Sequence, residues 1–283
     1  MQTIKKIREW TYKHAILAAF IVFILYKILI LGLGKLLSLL PVSIPTEFFK
    51  ETILIIIPIA IVVFFGFSST FKKGNFFKGL LCALPFFILE LILFIGIFVS
   101  NTKKPELTWN PWIAIVIGIF SIIGIGIREE CVYRATIQNI VAKKHANSVK
   151  GIWITVTISS VIFGLTHVTN IFYGTHPLSV LSQVISATSL GFLFAAIYLR
   201  SGSIWAAIFI HSLTDFASLS SSIFFRQISD IDVTNSLTIS WSSLIFDLLY
   251  LGLAIFLLRP SKCNQIYKRF CFADEKADLS IDA

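Results

Sequence analysis

The sequence predicts an all-α protein, a polytopic bundle of about eight transmembrane helices that forms a single domain over residues 1–272. The composition is the first reason: 56% of the 283 residues are hydrophobic and only 14% are charged. Apolar stretches long enough to cross a bilayer then recur along the whole chain. Lysines and arginines, in turn, collect between alternate stretches. A soluble domain rarely combines these features.

The apolar stretches set the expected helices in chain order. They cover residues 15–37, 51–67, 79–99, 110–142, 150–169, 178–199, 203–225 and 241–258. The basic N-terminus resembles the start of a signal peptide, but the apolar run that follows is too long and lacks a cleavage site. We therefore expect an uncleaved first helix. Residues 273–283 are polar and are expected to form a disordered tail.

The basic residues predict how the helices cross the membrane. They are dense before the first stretch, after the second, fourth, sixth and eighth stretches, and sparse elsewhere. The positive-inside rule then places both termini in the cytoplasm of a multi-pass protein in a cell membrane of the bacterial plasma-membrane type. The net charge of +9 is explained by anionic lipid headgroups and does not require a nucleic-acid partner.

The four cysteines do not indicate a disulfide or a metal site. Cys82, Cys131, Cys263 and Cys271 show no CxxC spacing. Cys263 and Cys271 fall in a basic segment predicted to be cytoplasmic, where thiols stay reduced.

Two adjacent carboxylates at the end of an apolar helix are the first unusual feature. On a continuing helix, Glu130 and Arg134 are four residues apart with the acid first, which favours an ion pair. Glu129 points about 100° away and has no such partner. Glu130 is thus predicted to be neutralised structurally, while Glu129 is left free and suits a general base. The competing interpretation is that the helix ends earlier and both acids are in water.

Two further apolar segments carry histidines. His167 follows Phe163 by one helical turn, so the aromatic ring should pack beside the imidazole. His211 and Asp215 are four residues apart on another helix and share a face. Ionisable groups at bilayer depth are costly, about 2.5–3.5 kcal/mol each for carboxylates on insertion scales, which favours a functional role.

The distances of these ionisable side chains from the ends of their helices indicate that they can lie at the same depth in the membrane. At 1.5 Å per residue, Glu129, His167 and Asp215 lie roughly 21, 24 and 18 Å from the cytoplasmic ends of their helices. We therefore expect one polar layer inside the bundle. Three other intramembrane charges, Lys27, Glu90 and Asp247, are interpreted as structural, and Lys27 could pair with Glu90.

Together, the three segments resemble the CAAX protease and bacteriocin-processing (CPBP) family of intramembrane proteases, also called Abi, which includes the type II CAAX prenyl endopeptidases. Its first motif, two glutamates and an arginine, matches Glu129, Glu130 and Arg134. Its second matches Phe163 and His167, and its third, a histidine with asparagine or aspartate four later, matches His211 and Asp215. The resemblance covers about residues 110–220.

The resemblance implies an intramembrane endopeptidase with a CAAX-protease-like or a bacteriocin-processing or immunity role. Glu129 would activate water together with His167. The pair His211 and Asp215 would stabilise the oxyanion or place the water. Glu130, Arg134 and Phe163 would support the site. The prenyl endopeptidases carry asparagine at the position of Asp215. Because an ionised aspartate only accepts hydrogen bonds, an oxyanion role requires a protonated Asp215; otherwise the residue orients His211.

The cofactor is left open by the sequence. A glutamate base with histidine donors needs no metal and is the mechanism we favour, although the family is commonly labelled as metalloproteases. Zinc held by Glu129, His167, His211 and Asp215 is the alternative. The helical HExxH zinc signature is absent from the chain.

The sequence leaves two other classes of function open, a transporter and a non-catalytic binding protein. A transporter would use the buried charges as an ion pathway, but the chain has no inverted repeat. A non-catalytic immunity or peptide-binding membrane protein would tolerate substitution of Glu129. In each case the expected partners are the lipid bilayer and, for the protease or binder, a peptide or protein at the membrane. The oligomeric state is not predicted.

Overall fold

The computed structural model describes residues 2–41 and 43–267. Up to Leu257, eleven α-helices are joined by a π-helical segment and short 3₁₀ turns, and a further helix, Pro260–Tyr267, follows. In chain order the helices are α1 Gln2–Lys13, α2 Ala15–Leu37, α3 Ile44–Phe64, α4 Phe76–Thr102, α5 Trp112–Glu130, α6 Asn139–His145, α7 Val149–Leu165, α8 Pro177–Ser201, α9 Ile204–Phe224, α10 Asp230–Asn235 and α11 Trp241–Leu257.

The all-α prediction is confirmed for this part of the chain, in which a single isolated bridge joins Trp109 to Phe225. The tail predicted at 273–283 and Cys271 lie outside the described residues. Cys82, Cys131 and Cys263 are free thiols.

Six of the described helical segments are long and apolar enough to cross a membrane, and a seventh is counted if α11 and the bent helix that follows it, Pro260–Tyr267, form one crossing. The predicted count of eight is therefore not confirmed. When seven crossings are counted, the difference from eight lies at the second predicted span. There α3 begins earlier than expected and carries Glu47, Lys50 and Glu51 in its first half. This leaves a shorter apolar portion.

The outer surface of the helices fits a lipid environment. Large apolar side chains remain exposed along α2 and α4, with Ile28 and Ile92 more than half exposed. Contiguous apolar surface of this kind would be unfavourable in water but not in hydrocarbon. The chain is therefore a multi-pass membrane protein.

The packing of the bundle brings the sequence-predicted residues towards one another. The closest neighbours are α7 with α8, α5 with α9, and α8 with α11. Residues 131–138 form the π-helical segment between α5 and α6, and every one of them is buried. The segment packs mainly against α7 and α3, with α2, α8 and α9 in more limited contact.

The orientation in the membrane stays a prediction, and reporter fusions test it. Asn101 lies near the end of α4, and Lys144 lies near the end of α6. One membrane-spanning segment, Trp112–His145, carries the chain from one position to the other. Reporters fused after these residues should lie on opposite sides, outside after Asn101 and inside after Lys144. The same side for both would contradict the predicted topology.

Candidate active site

The two adjacent glutamates occupy the last positions of α5, immediately before the π-helical segment. A π-segment contains an extra residue per turn and is frequent at functional sites. Here it follows the carboxylates directly, and the Thr136 hydroxyl donates to the carbonyl of Cys131, five residues earlier. The helix therefore continues past the glutamates, as predicted, but with a wider turn that the apolar pattern did not reveal.

Glu130 and Arg134 form the predicted ion pair in the protein interior. Arg134 Nε lies 3.3 Å from Glu130 Oε2, and both side chains are 0% exposed. Arg134 Nη1 also donates to Ser159 Oγ at 3.2 Å, and that hydroxyl donates to the carbonyl of Tyr133. The arginine thus ties the π-helical segment to α7.

Glu130 also holds His211, a contact that the sequence did not predict. His211 Nδ1 lies 2.9 Å from Glu130 Oε1. Because an ionised carboxylate only accepts, Nδ1 carries the proton in this contact. The arginine, the glutamate and the histidine thus form a buried chain from the π-helical segment to α9.

The other nitrogen of His211 lies between two partly exposed carboxylates. Nε2 is 3.4 Å from Asp215 Oδ2 and 3.6 Å from Glu129 Oε2. The side chains of Asp215 and Glu129 are 25% and 23% exposed, compared with 4% for His211. The two carboxylates that are accessible to a ligand therefore share one imidazole, whose far side is fixed by Glu130.

Two phenylalanines form the apolar walls of the site. Phe163 lies edge-on to the rings of His167 and His211, at centroid distances of 5.7 and 5.5 Å, and Arg134 Cζ lies 4.8 Å from its centroid. Phe194, on α8, stacks on His211 at 5.1 Å. The predicted packing of Phe163 against His167 is present, whereas Phe194 was not singled out from the sequence. These rings prevent His211 from rotating away from its carboxylates.

His167 is not on the regular helix that the sequence predicted. The α-helix ends at Leu165, and His167 lies in the 3₁₀ segment Thr166–Tyr173. Its Nδ1 atom is buried and has no hydrogen-bond partner among the described residues. Phe163, which packs against both His167 and His211, connects His167 to the site.

The three remaining intramembrane charges have separate partners, and the suggested pair of Lys27 with Glu90 is not formed. Lys27 Nζ donates to the carbonyl of Thr166 at 3.1 Å, whereas Glu90 Oε1 accepts from Tyr250 at 3.2 Å. Asp247 accepts from Ser186. The structural role of Glu90 and Asp247 stays a prediction, with which these hydrogen bonds agree, while Lys27 lies beside Glu129 at the cavity described next.

A cavity of about 190 Å³ opens next to Glu129. Four helices or helical segments contribute to its walls: α2, α3, the α5–π junction and the 3₁₀ segment. The lining residues are Tyr26, Lys27, Ile30, Leu31, Gly34, Leu54, Arg128, Glu129, Tyr133, Thr166 and Tyr173. The cavity gives a ligand access to Glu129, whereas the buried Glu130 does not line it.

Close packing of α5 on α9 is needed to bring the carboxylates to His211. A Cβ atom added at Gly126 would overlap the hydroxyl of Ser212 and lie 3.1 Å from the carbonyl oxygen of Ile208. The absence of a side chain at Gly126 therefore sets the separation of the two helices one turn from Glu129 and Glu130.

Gly126→Val should push α5 away from α9. We expect at least a ten-fold loss of catalytic activity and a loss of about 1–3 kcal/mol of stability, as for other overpacked interiors. Thermal unfolding measures the loss of stability, and cleavage of a membrane peptide by the purified protein measures the loss of activity. Gly96→Ala on α4 is the matched control, because nothing lies within 4 Å of a Cβ there. Equal effects of the two substitutions would contradict the packing argument.

A zinc site needs three or four His, Cys, Asp or Glu side chains arranged around one point. Among residues 2–41 and 43–267, no group of three or more His, Cys, Asp or Glu side chains is placed to share a metal ion. Both nitrogens of His211 face carboxylates at hydrogen-bond or ion-pair distances. As arranged, the side chains of the described residues do not fit a zinc ion. Zinc binding by Glu129, His167, His211 and Asp215 remains a prediction that metal analysis of the purified protein tests.

Comparisons with known proteins were made for the whole chain. Neither the curated proteins nor the solved structures include a match. Residues 108–217 match the model of one family, described as type II CAAX prenyl endopeptidase Rce1-like. This segment contains Glu129, Glu130, Arg134, Phe163, His167, His211 and Asp215. The resemblance to the family of CAAX proteases is thus confirmed for residues 108–217, the part of the chain that contributes all seven motif residues.

Proposed function

We propose that the protein is a CAAX-protease-like intramembrane endopeptidase in which Glu129 activates the attacking water. One observation carries the proposal. Of the two adjacent glutamates, Glu130 is fully buried between Arg134 and His211, whereas Glu129 is partly exposed and lines the cavity. A general base must reach both water and substrate, which only the second arrangement allows.

In the first step, Glu129 accepts a proton from water while the water oxygen attacks the carbonyl carbon of the scissile peptide bond. The carbonyl oxygen becomes an oxyanion and needs preorganised donors. His211 is suited to this role, because Nε2 lies between the two exposed carboxylates and Nδ1 is fixed by Glu130. With both nitrogens protonated, Nε2 donates to the oxyanion.

In the second step, the tetrahedral intermediate collapses. The carbon–nitrogen bond breaks, and Glu129 returns its proton to the departing amine, which restores the carboxylate. His167 acts with Glu129, as the resemblance to the family implies, and Phe163 packs edge-on against its ring. Phe163 and Phe194 exclude water from the inner face of His211, which strengthens its interaction with developing charge.

The role of Asp215 follows from its place beside Nε2. Oδ2 faces His211, while the partly exposed carboxyl group is accessible to substrate. A protonated Asp215 donates its hydroxyl proton to the oxyanion, beside the N–H of His211 Nε2, which donates to the same oxyanion. An ionised Asp215 only orients and stabilises the imidazolium.

Asp215→Asn distinguishes these two roles. If Asp215 donates, asparagine replaces the donor, and most of the activity should remain, with a change of less than about ten-fold. If Asp215 is ionised, its loss removes a charge partner of His211, and the pH–rate profile should shift. We favour the donor. A near-inactive variant with unchanged metal content would exclude it.

The substrate proposed is a peptide or protein held at the membrane, and processing of bacteriocin-type peptides is one form of this activity. Comparison of the membrane peptides of cells that carry the wild type with those that carry Glu129→Gln tests the proposal. Peptides specific to the wild type should appear, with their precursors enriched in the variant. Identical peptide sets would favour a non-catalytic binding protein.

A further inference from the structure

Lys27 is a membrane-embedded cation whose surroundings are only partly explained by the fold. Its ammonium group has three N–H donors. Among the residues that the structure describes, only the carbonyl of Thr166 accepts a hydrogen bond from it, and no carboxylate lies within 4.0 Å of Nζ. The ammonium group lies at a cavity that also contains Glu129.

A cation within a membrane bundle is expected to have a counter-ion. Arg128, the other cation at the cavity, has one: its Nη1 lies 2.7 Å from Glu51 Oε2. Glu129 is already shared with His211. Lys27 is therefore the basic group that has donors available to a ligand in the cavity.

We propose that the cavity is a substrate subsite that binds a carboxylate of the peptide, with Lys27 as its counter-ion. The inference rests on the proposed function in one respect only, namely that the ligand is a peptide. Glu129 separates the cavity from His211, so a peptide whose scissile carbonyl lies at Glu129 extends a neighbouring residue towards Lys27.

The remaining walls agree with such a ligand. Ile30, Leu31 and Leu54 offer apolar contacts, and Lys27, Arg128 and Thr166 offer polar groups. The volume of about 190 Å³ accommodates a short chain end or a side chain, and not a folded element. Two sources of the carboxylate share this chemistry, a free peptide C-terminus and an acidic side chain.

Lys27 contributes specificity from outside the matched family segment. It lies on α2, whereas the match begins at residue 108. The alternative is that Lys27 only positions the 3₁₀ segment through Thr166, a residue that Tyr133 also holds by a hydrogen bond of 2.7 Å. A purely positioning lysine would affect all substrates to the same extent.

The experiment measures equilibrium binding of four short apolar peptides with N-methylated, hydrolysis-resistant bonds to the full-length protein in lipid nanodiscs. Two of the peptides differ only in a free or an amidated C-terminus. The other two are amidated and differ only in an internal glutamate or glutamine. Binding is compared for the wild type, Lys27→Met, Lys27→Arg and the control Lys35→Met, a change at an exposed lysine in the last turn of the same helix.

We expect the wild type to bind at least one carboxylate peptide about ten-fold more tightly than its neutral partner. Lys27→Met should abolish that preference and leave the neutral peptide unaffected, whereas Lys27→Arg and Lys35→Met should keep it. Which pair shows the preference identifies the C-terminus or the side chain as the source. Since no cleavage is required, a preference in a protein that hydrolyses nothing would support the subsite and contradict only the proposed activity.

Where the peptides bind, three results would overturn the inference: no preference in the wild type, a preference that survives Lys27→Met, or an equal loss of affinity for charged and neutral peptides in Lys27→Met. The last would assign Lys27 to positioning alone. Absence of binding by all four peptides would also contradict a peptide subsite. If thermal unfolding shows that Lys27→Met does not fold, the affinities of the wild type and of Lys27→Arg for the charged and neutral peptides still test the inference.

Discussion

Substitution of Glu129 by glutamine is expected to lower the rate of peptide hydrolysis by about 10²–10⁴-fold, the usual contribution of a general base. Glutamine keeps the shape of the side chain and its place at the cavity but cannot accept a proton from water. The fold should be retained, because Glu129 is partly exposed and its nearest ionic contact, His211, is at 3.6 Å. Cleavage of a membrane peptide by purified protein, together with thermal unfolding, measures both effects.

Glu106→Gln is a suitable control for this result, because Glu106 is exposed and lies between α4 and α5. Its activity should equal that of the wild type. Full hydrolytic activity in Glu129→Gln would contradict the assignment of the base. A large loss of folded protein in the same variant would instead show that Glu129 supports the structure.

The parts of the site that the sequence predicted follow from helical periodicity. Glu130 and Arg134, and likewise His211 and Asp215, are pairs four residues apart, and each pair is in contact in the structure. The same rule placed Phe163 beside His167. Spacing within one element is visible in a single sequence because helix geometry fixes which side chains share a face.

Contacts between elements could not be predicted in this way. The hydrogen bond from His211 to Glu130 spans 81 residues and depends on how closely α5 and α9 pack. The stacking of Phe194 on His211 and the approach of Lys27 to Thr166 depend on helix packing in the same way. One signal was available for Lys27, namely its charge within an apolar stretch, but its partner could not be identified from spacing.

Local geometry also limited the sequence argument. The π-helical segment at 131–138 and the change to 3₁₀ geometry at Thr166 leave the apolar pattern almost unchanged. Both alter the direction of the side chains that follow. Depth arithmetic, which assumed straight helices, therefore predicted a shared layer but not which of the polar side chains would be in contact.

The second large effect is expected on stability. Arg134→Ala leaves the buried Glu130 without its guanidinium partner, and Glu130→Gln leaves the buried Arg134 without its carboxylate. Removing one member of a buried ion pair costs about 3–5 kcal/mol. Both variants should therefore show a marked fall in the unfolding temperature and in the yield of folded protein. Activity should be lost as well, because His211 Nδ1 depends on Glu130.

The double variant Glu130→Gln with Arg134→Met separates charge from packing. It removes both buried charges and roughly keeps the volume, so it should be more stable than the summed losses of Glu130→Gln and Arg134→Met, each measured alone, would predict. It should nevertheless stay inactive, since the carboxylate that holds the imidazole is gone. Lys50→Ala is the control: its ion pair with Glu47 is partly exposed and should contribute about 0–1 kcal/mol. Additive losses in the double variant would show that Glu130 and Arg134 stabilise the interior independently and not as a pair.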